Sequence, residues 1–112
     1  MLRSIANLGV GQAITVRECD VIAVEAMEGT DAMIDRSAQL CRTGGWTLLK
    51  TAHDSHDMRA DVPTVGVPTL ERLASAGGRM LVLGAGRVIM LEKPRMIEVA
   101  DRLGIALLGV SI

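Results

Sequence analysis

Tyrosine and phenylalanine are absent from the 112 residues, and Trp46 is the only aromatic side chain. A single indole cannot build the ladder of stacked rings on which proteins hold single-stranded bases. Positive charge is not in excess either, since 12 Lys and Arg face 13 Asp and Glu for a net charge of −1. The basic residues are scattered, so the electrostatic footprint of a DNA- or RNA-binding surface is missing and no nucleic-acid partner is expected. Cysteine is sparse as well. Cys19 and Cys41 form no CxxC pair and belong to no small secreted scaffold, which reads as two reduced thiols in a cytoplasmic protein. The opening MLRSIANLGVGQ lacks the apolar core of a secretory signal and enters a strand almost at once, as suits a domain taken from a longer chain. No apolar run approaches the ~18 residues that a membrane span needs. The longest, MLVLGAG and IALLGV, have the length of buried strands.

What is present in surplus is apolar surface. Apolar residues make up 49% of the chain, and 12 glycines raise the share on the usual convention to about 60%, against roughly 45–50% for an ordinary soluble domain. The length is enough for one core. The surplus therefore points to a face covered by another domain or by a second copy of the chain.

The pattern along the chain is α/β. QAITV and VIAVEA are strands joined by the polar turn ECD, a hairpin. Gly29 breaks the second strand, and Thr30 or Asp31 offers an N-cap for a helix running to about Arg42, with Ile34, Ala38 and Cys41 on one face and Gly44-Gly45 at its end. WTLLKTA is a strand. VPTLERLASAGG is a short helix with Pro68 near its start and glycines at its end. MLVLGAGRVIML reads as a second hairpin turning at Gly84-Ala85-Gly86, KPRMIEVADRLG as a helix bounded by Pro94 and Gly104, and IALLGV as the closing strand. The order hairpin, helix, strand thus occurs twice, and the expected class is a mixed β-sheet with packed helices.

Two segments carry chemistry. HDSHDMRAD, residues 53–61, holds both histidines, and Pro63 pushes its end toward an extended backbone. Strand alternation then places Asp57, Arg59 and Asp61 on one face and Met58, Ala60 and Val62 on the other. Carboxylate, guanidinium, carboxylate suits a hard cation such as Mg²⁺ together with a phosphate, which the planar arginine fork can grip. Two carboxylates ~4 Å apart repel by ~4 kcal/mol at an effective dielectric of ~20, and a cation would reverse that. The same charges could also simply point into water, and spacing alone leaves both readings open. His53 and His56, three apart and without a cysteine motif, fall short of a zinc ligand set unless aspartates complete it, and read more simply as solvated loop histidines. In the second segment, VEAMEGTDAM at residues 24–33, a strand passes through glycine into a helix start whose free N–H groups favour an anion. An ordinary capped helix accounts for it equally.

Taken together, VEAMEGTDAM, the following GG, a strand carrying Lys50, and DMRADVPTVG resemble the C-terminal domain of the metal-dependent UDP-2,3-diacylglucosamine pyrophosphohydrolases, the type unrelated to calcineurin-like enzymes. The likeness runs from GQAITV to DRLGIALLGV, nearly the whole chain, and the N-terminal domain of that family has no counterpart in it. The resemblance implies hydrolysis of UDP-2,3-diacylglucosamine to UMP and 2,3-diacylglucosamine 1-phosphate, a lipid A intermediate, with substrate held between two domains. It marks Asp61 as the essential acidic residue, Asp57 and Arg59 as its companions, Glu28, Gly29, Thr30 and Asp31 as the other motif, and Lys50 as the basic residue at the strand end. On that basis Asp57 and Asp61 hold a divalent metal, Mg²⁺ or Mn²⁺, while Arg59 and Lys50 neutralise the pyrophosphate and the Gly29–Asp31 turn donates backbone N–H groups. The isolated chain is expected to be inactive, with half of its site in the other domain, and to work at the cytoplasmic side, in transient contact with the inner face of the membrane. A homodimer would cover the apolar surplus as well as the N-terminal domain would. Non-catalytic binding of a nucleotide-sugar or lipid phosphate, or dimerisation alone, are the alternatives. The chain departs from the family where His56 replaces a usual glutamine and Ala60 an aromatic.

Overall fold

A computed structural model describes residues 13–18, 20–24, 29–51, 64–84 and 88–110. Strands β1 (Ala13–Arg17) and β2 (Asp20–Val24) are the expected hairpin. Glu18, at φ 52°, turns the chain in the left-handed region, and the register slips between Thr15 and Val16, a bulge. Helix α1 (Thr30–Leu40) leads to β3 (Trp46–Lys50), and helix α2 (Val67–Ala76) leads to β5 (Gly78–Gly84). Helix α3 (Lys93–Leu103) precedes the last strand, β7 (Ala106–Val110). The two-residue strands β4 (Thr64–Val65) and β6 (Ile89–Met90) pair with each other in parallel as a separate small sheet.

The five strands of the main sheet lie in the order β2-β1-β3-β5-β7. β1 is antiparallel to both neighbours, and β3, β5 and β7 run parallel, so the sheet is mixed as read from the sequence. The three helices form a neighbouring row, α1 against α2 and α2 against α3, and pack on the sheet. Alternation sends Trp46 and Leu48 of β3 and Leu81 and Leu83 of β5 into the core beneath them, where Met33, Ile34, Leu70, Leu73, Met96 and Val99 meet them from the helices. Among the described residues no helix is long and apolar enough to cross a membrane.

Several local expectations change. The N-cap of α1 is Gly29, at φ 90° and ψ 165°, a conformation open to glycine, and Thr30 is already helical with its hydroxyl engaged elsewhere. The helix stops at Leu40 rather than Arg42, with Cys41 as its C-cap. Its buried face is Met33, Ile34 and Ser37, while Ala38 and Cys41 are half-buried. Ser37 is tolerated there because it donates to the Met33 carbonyl at 2.9 Å, and the Thr15 hydroxyl, 2.7 Å away, donates to it in turn. The larger correction concerns MLVLGAGRVIML. Its two strands do not pair as a hairpin, since β5 is flanked by β3 and β7, both parallel to it, and β6 leaves to join β4. A continuous apolar run is the mark of a central parallel strand, and such a strand has no free edge for an antiparallel return. Strand, strand, helix, strand does recur, but only the first pair is a hairpin. The turn residues Ala85 and Gly86 lie outside the described residues.

Candidate active site

β2, β3, β5 and β7 all end at the same border of the sheet, at Val24, Lys50, Gly84 and Val110. In open α/β sheets this carboxyl border is where ligands bind, because the strand ends and the following helix N-termini converge there. Lys50 is a cation at that border and is only 8% exposed. Its Nζ donates to the Thr30 hydroxyl at 3.2 Å and to the Thr64 carbonyl at 3.3 Å. Thr30 belongs to the EGTD motif, and Thr64 immediately follows the RADVP segment. One buried ammonium therefore joins two stretches that stand 34 positions apart in the chain (64 − 30).

The next residue, Thr51, is 1% exposed, and its hydroxyl has no hydrogen-bond partner among the described residues. It lies against Gly84, where any Cβ would collide with it. Glycine is thus required for strand and threonine to pass this closely. On the β2 side, Arg36 of α1 donates from Nη2 to the Val24 carbonyl at 2.8 Å, tying the helix to the strand that leads into the EGTD motif.

Of the residues singled out by the sequence, Gly29, Thr30 and Lys50 are brought to this border. Asp31 turns instead toward α2, where its carboxylate is 4.0 Å from Arg72 Nη1. Arg72 also grips Asp35 with two hydrogen bonds, Nε to Oδ1 at 3.1 Å and Nη2 to Oδ2 at 2.6 Å. Glu28, Asp57, Arg59 and Asp61 lie outside the described residues, as do His53 and His56. Among the described residues no three His, Cys, Asp or Glu side chains gather so as to hold a metal ion. The described part of the border offers hydroxyl and ammonium groups, which suit phosphate oxygens, so carboxylate ligands would have to come from outside the described residues, where Glu25, Glu28 and the 53–61 segment lie. Thr51, Thr64 and Arg36 escaped the sequence reading. Thr51 and Thr64 had one available signal, since they adjoin Lys50 and the RADVP segment, whereas nothing in the sequence marks Arg36.

The Arg72 hydrogen bond holds the Asp35 carboxyl below the usual carboxylate range. For a lowered carboxyl the stabilising contribution is present above the unfolded value of ~3.9 and is lost as pH falls through the folded one. The pair is exposed, so its worth is small. A ¹³C titration of Asp35 is expected to give a midpoint below ~3.9, and Arg72→Gln should return it to about that value. An unchanged midpoint in the variant would show that the contact is not kept in solution.

With this geometry in hand, comparison with known proteins becomes specific. Residues 1–108 match the LpxI C-terminal domain. The chain belongs to that family. It is also 41% identical over 118 aligned positions to the UDP-2,3-diacylglucosamine pyrophosphatase LpxI of Caulobacter vibrioides. That alignment takes in 97% of this chain and 41% of the relative, so the chain spans about two-fifths of the curated LpxI protein it matches. In this chain the part matching the LpxI C-terminal domain is the α/β unit whose carboxyl border gathers Thr30, Lys50 and Thr64.

Proposed function

We propose that this chain supplies one side of the active site of a pyrophosphohydrolase that cleaves UDP-2,3-diacylglucosamine to UMP and 2,3-diacylglucosamine 1-phosphate. The observation that supports it best is the Lys50 ammonium held between Thr30 and Thr64, which ties both motifs of the family to one cation at the ligand-binding border. Water attacks one phosphorus of the pyrophosphate, the bond from that phosphorus to the bridging oxygen breaks, and the bridging oxygen leaves with the other phosphate. Positioning and charge compensation are most of what such a reaction asks of a protein. Lys50 and Arg59 face the negative charge of the pyrophosphate, and the N–H groups at Gly29 to Asp31 add donors at the positive end of α1. Asp57 and Asp61 would hold a divalent cation, Mg²⁺ or Mn²⁺, whose charge offsets that on the phosphoryl oxygens. Asp61 also orients the attacking water.

The test is an amide NMR titration of this chain with Mn²⁺ and then UMP. Broadening centred on Asp57 to Asp61, followed by UMP shifts at Gly29 to Asp31 and Lys50, is the expected result. Uniform broadening without UMP shifts would count against a shared pocket. In a protein of the relatives' full length, UMP release should depend on the metal, whereas the 112 residues alone should release little or none.

A further inference from the structure

A cleft opens between α3 and the edge strand β7. Its upper part, a cavity of about 380 Å³, lies at the carboxyl border between the ends of β5 and β7, walled by Leu83, Val88, Met90 and Leu107. Its lower part, about 540 Å³, continues down α3 past Ile97 and Ala100 to Ile105. Met90, Lys93, Leu107 and Gly109 line both parts, so the two are one trough. From Ala106 to Gly109 the strand alongside it covers roughly 10 Å. Lys93 is the one cation among the described lining residues and stands where the two parts join.

Position says what this trough is for. Leu83, in its upper wall, is the register partner of Lys50 on the adjacent strand. The upper mouth is therefore one strand spacing, about 4.8 Å, from the strand that carries the phosphate-facing cation. A substrate whose pyrophosphate sits at Lys50 and whose sugar carries acyl groups would present an acyl chain to this mouth. The trough is largely apolar, with Asp101 and Lys93 as its charged lining residues, and an acyl carbonyl lying at the junction of its two parts would meet Lys93. We infer that the α3–β7 trough holds one acyl chain of the lipid-linked sugar, with Lys93 where its two parts join. The inference rests on the hydrolase reading above and adds a location and a chain-length preference to it.

The experiment compares UMP release from UDP-glucosamine derivatives bearing progressively shorter acyl chains, in a protein of the relatives' full length, before and after Ile97→Glu. Ile97 is 46% exposed on the trough wall, so the change is compatible with folding, which circular dichroism melting checks; Leu108→Asn at the upper mouth is the second variant. Each methylene taken up by the trough raises kcat/KM by up to about fourfold. The expected result is that the preference for long over short chains collapses at least about tenfold in Ile97→Glu, removal of two buried methylenes alone being worth about fifteenfold. An unchanged preference in both variants overturns the trough and leaves the hydrolase reading standing. If the variants instead shift the sedimentation mass and not the preference, the trough is a contact between copies and the inference falls. Should the parent protein release no UMP from any derivative, the hydrolase reading fails by itself. The trough is then judged by binding of a diacylated glucosamine 1-phosphate spin-labelled near its acyl end, where broadening at Ile97 and Ile105 supports it and none there refutes it.

Discussion

Asp61→Asn, made in a protein of the relatives' full length, is expected to lower kcat by about 10³-fold or more while UMP still binds. Asparagine keeps the shape and one acceptor oxygen but loses the charge. A group that stabilises developing charge in a water-poor site typically accounts for about 10²–10³ in rate by itself. Asp61 is proposed to do more than that, by holding the divalent cation and by orienting the attacking water, so a larger loss is expected. The substrate contacts proposed for Gly29, Thr30 and Lys50 stand on other elements and should persist. The comparison is therefore turnover by UMP release against UMP affinity by calorimetry. Near-normal turnover would remove Asp61 from the assignment, and a parallel loss of affinity would make it a binding residue only.

Lys50→Met separates chemistry from architecture. Methionine roughly matches the lysine stem in length and volume, so packing under α1 is preserved, and a desolvated ammonium is taken away. The Thr64 carbonyl belongs to an exposed residue and can turn to water. Stability is thus expected to change by about 1.5 kcal/mol or less, while kcat/KM falls about 10²–10³-fold because the pyrophosphate loses a cation. If turnover and melting temperature collapse together, Lys50 is a strut between Thr30 and Thr64. If neither moves, the cation has no part in the reaction.

Most of the layer pattern was legible because single residues settled it. Pro94 and Gly104 bracket α3, with Gly104 in the left-handed region at φ 73° that a helix end requires. The ECD turn delivered the first hairpin. The second half misled because MLVLG and VIML look alike whether they fold back on each other or diverge, and only the tertiary pairing of β5 with β3 and β7 decides. Ser37 could not be placed in the core from its type, because its burial depends on a hydroxyl partner, Thr15, 22 positions away. In the site, Thr30 and Lys50 were legible through the family motifs. Their meeting was not, since it depends on α1 starting at Gly29 and on β3 ending at the same border. Thr64 enters through its backbone carbonyl, and a carbonyl carries no signature in sequence.

Trp46 has a practical corollary. It is fully buried at the amino end of β3, four residues and so about 13 Å along the strand from Lys50, and no other aromatic side chain exists in the chain. All intrinsic tryptophan emission therefore originates in one place, beneath the helices and at the opposite border from the proposed ligand site. That emission should report loss of the core and be little changed by a nucleotide bound at the carboxyl border. Melting curves followed at this wavelength can be collected at rising ligand concentration, and their displacement follows the occupancy of the site through the mass-action relation between binding and folding. The scarcity of rings that deprives the protein of a stacking platform leaves it with a single, well-placed optical reporter.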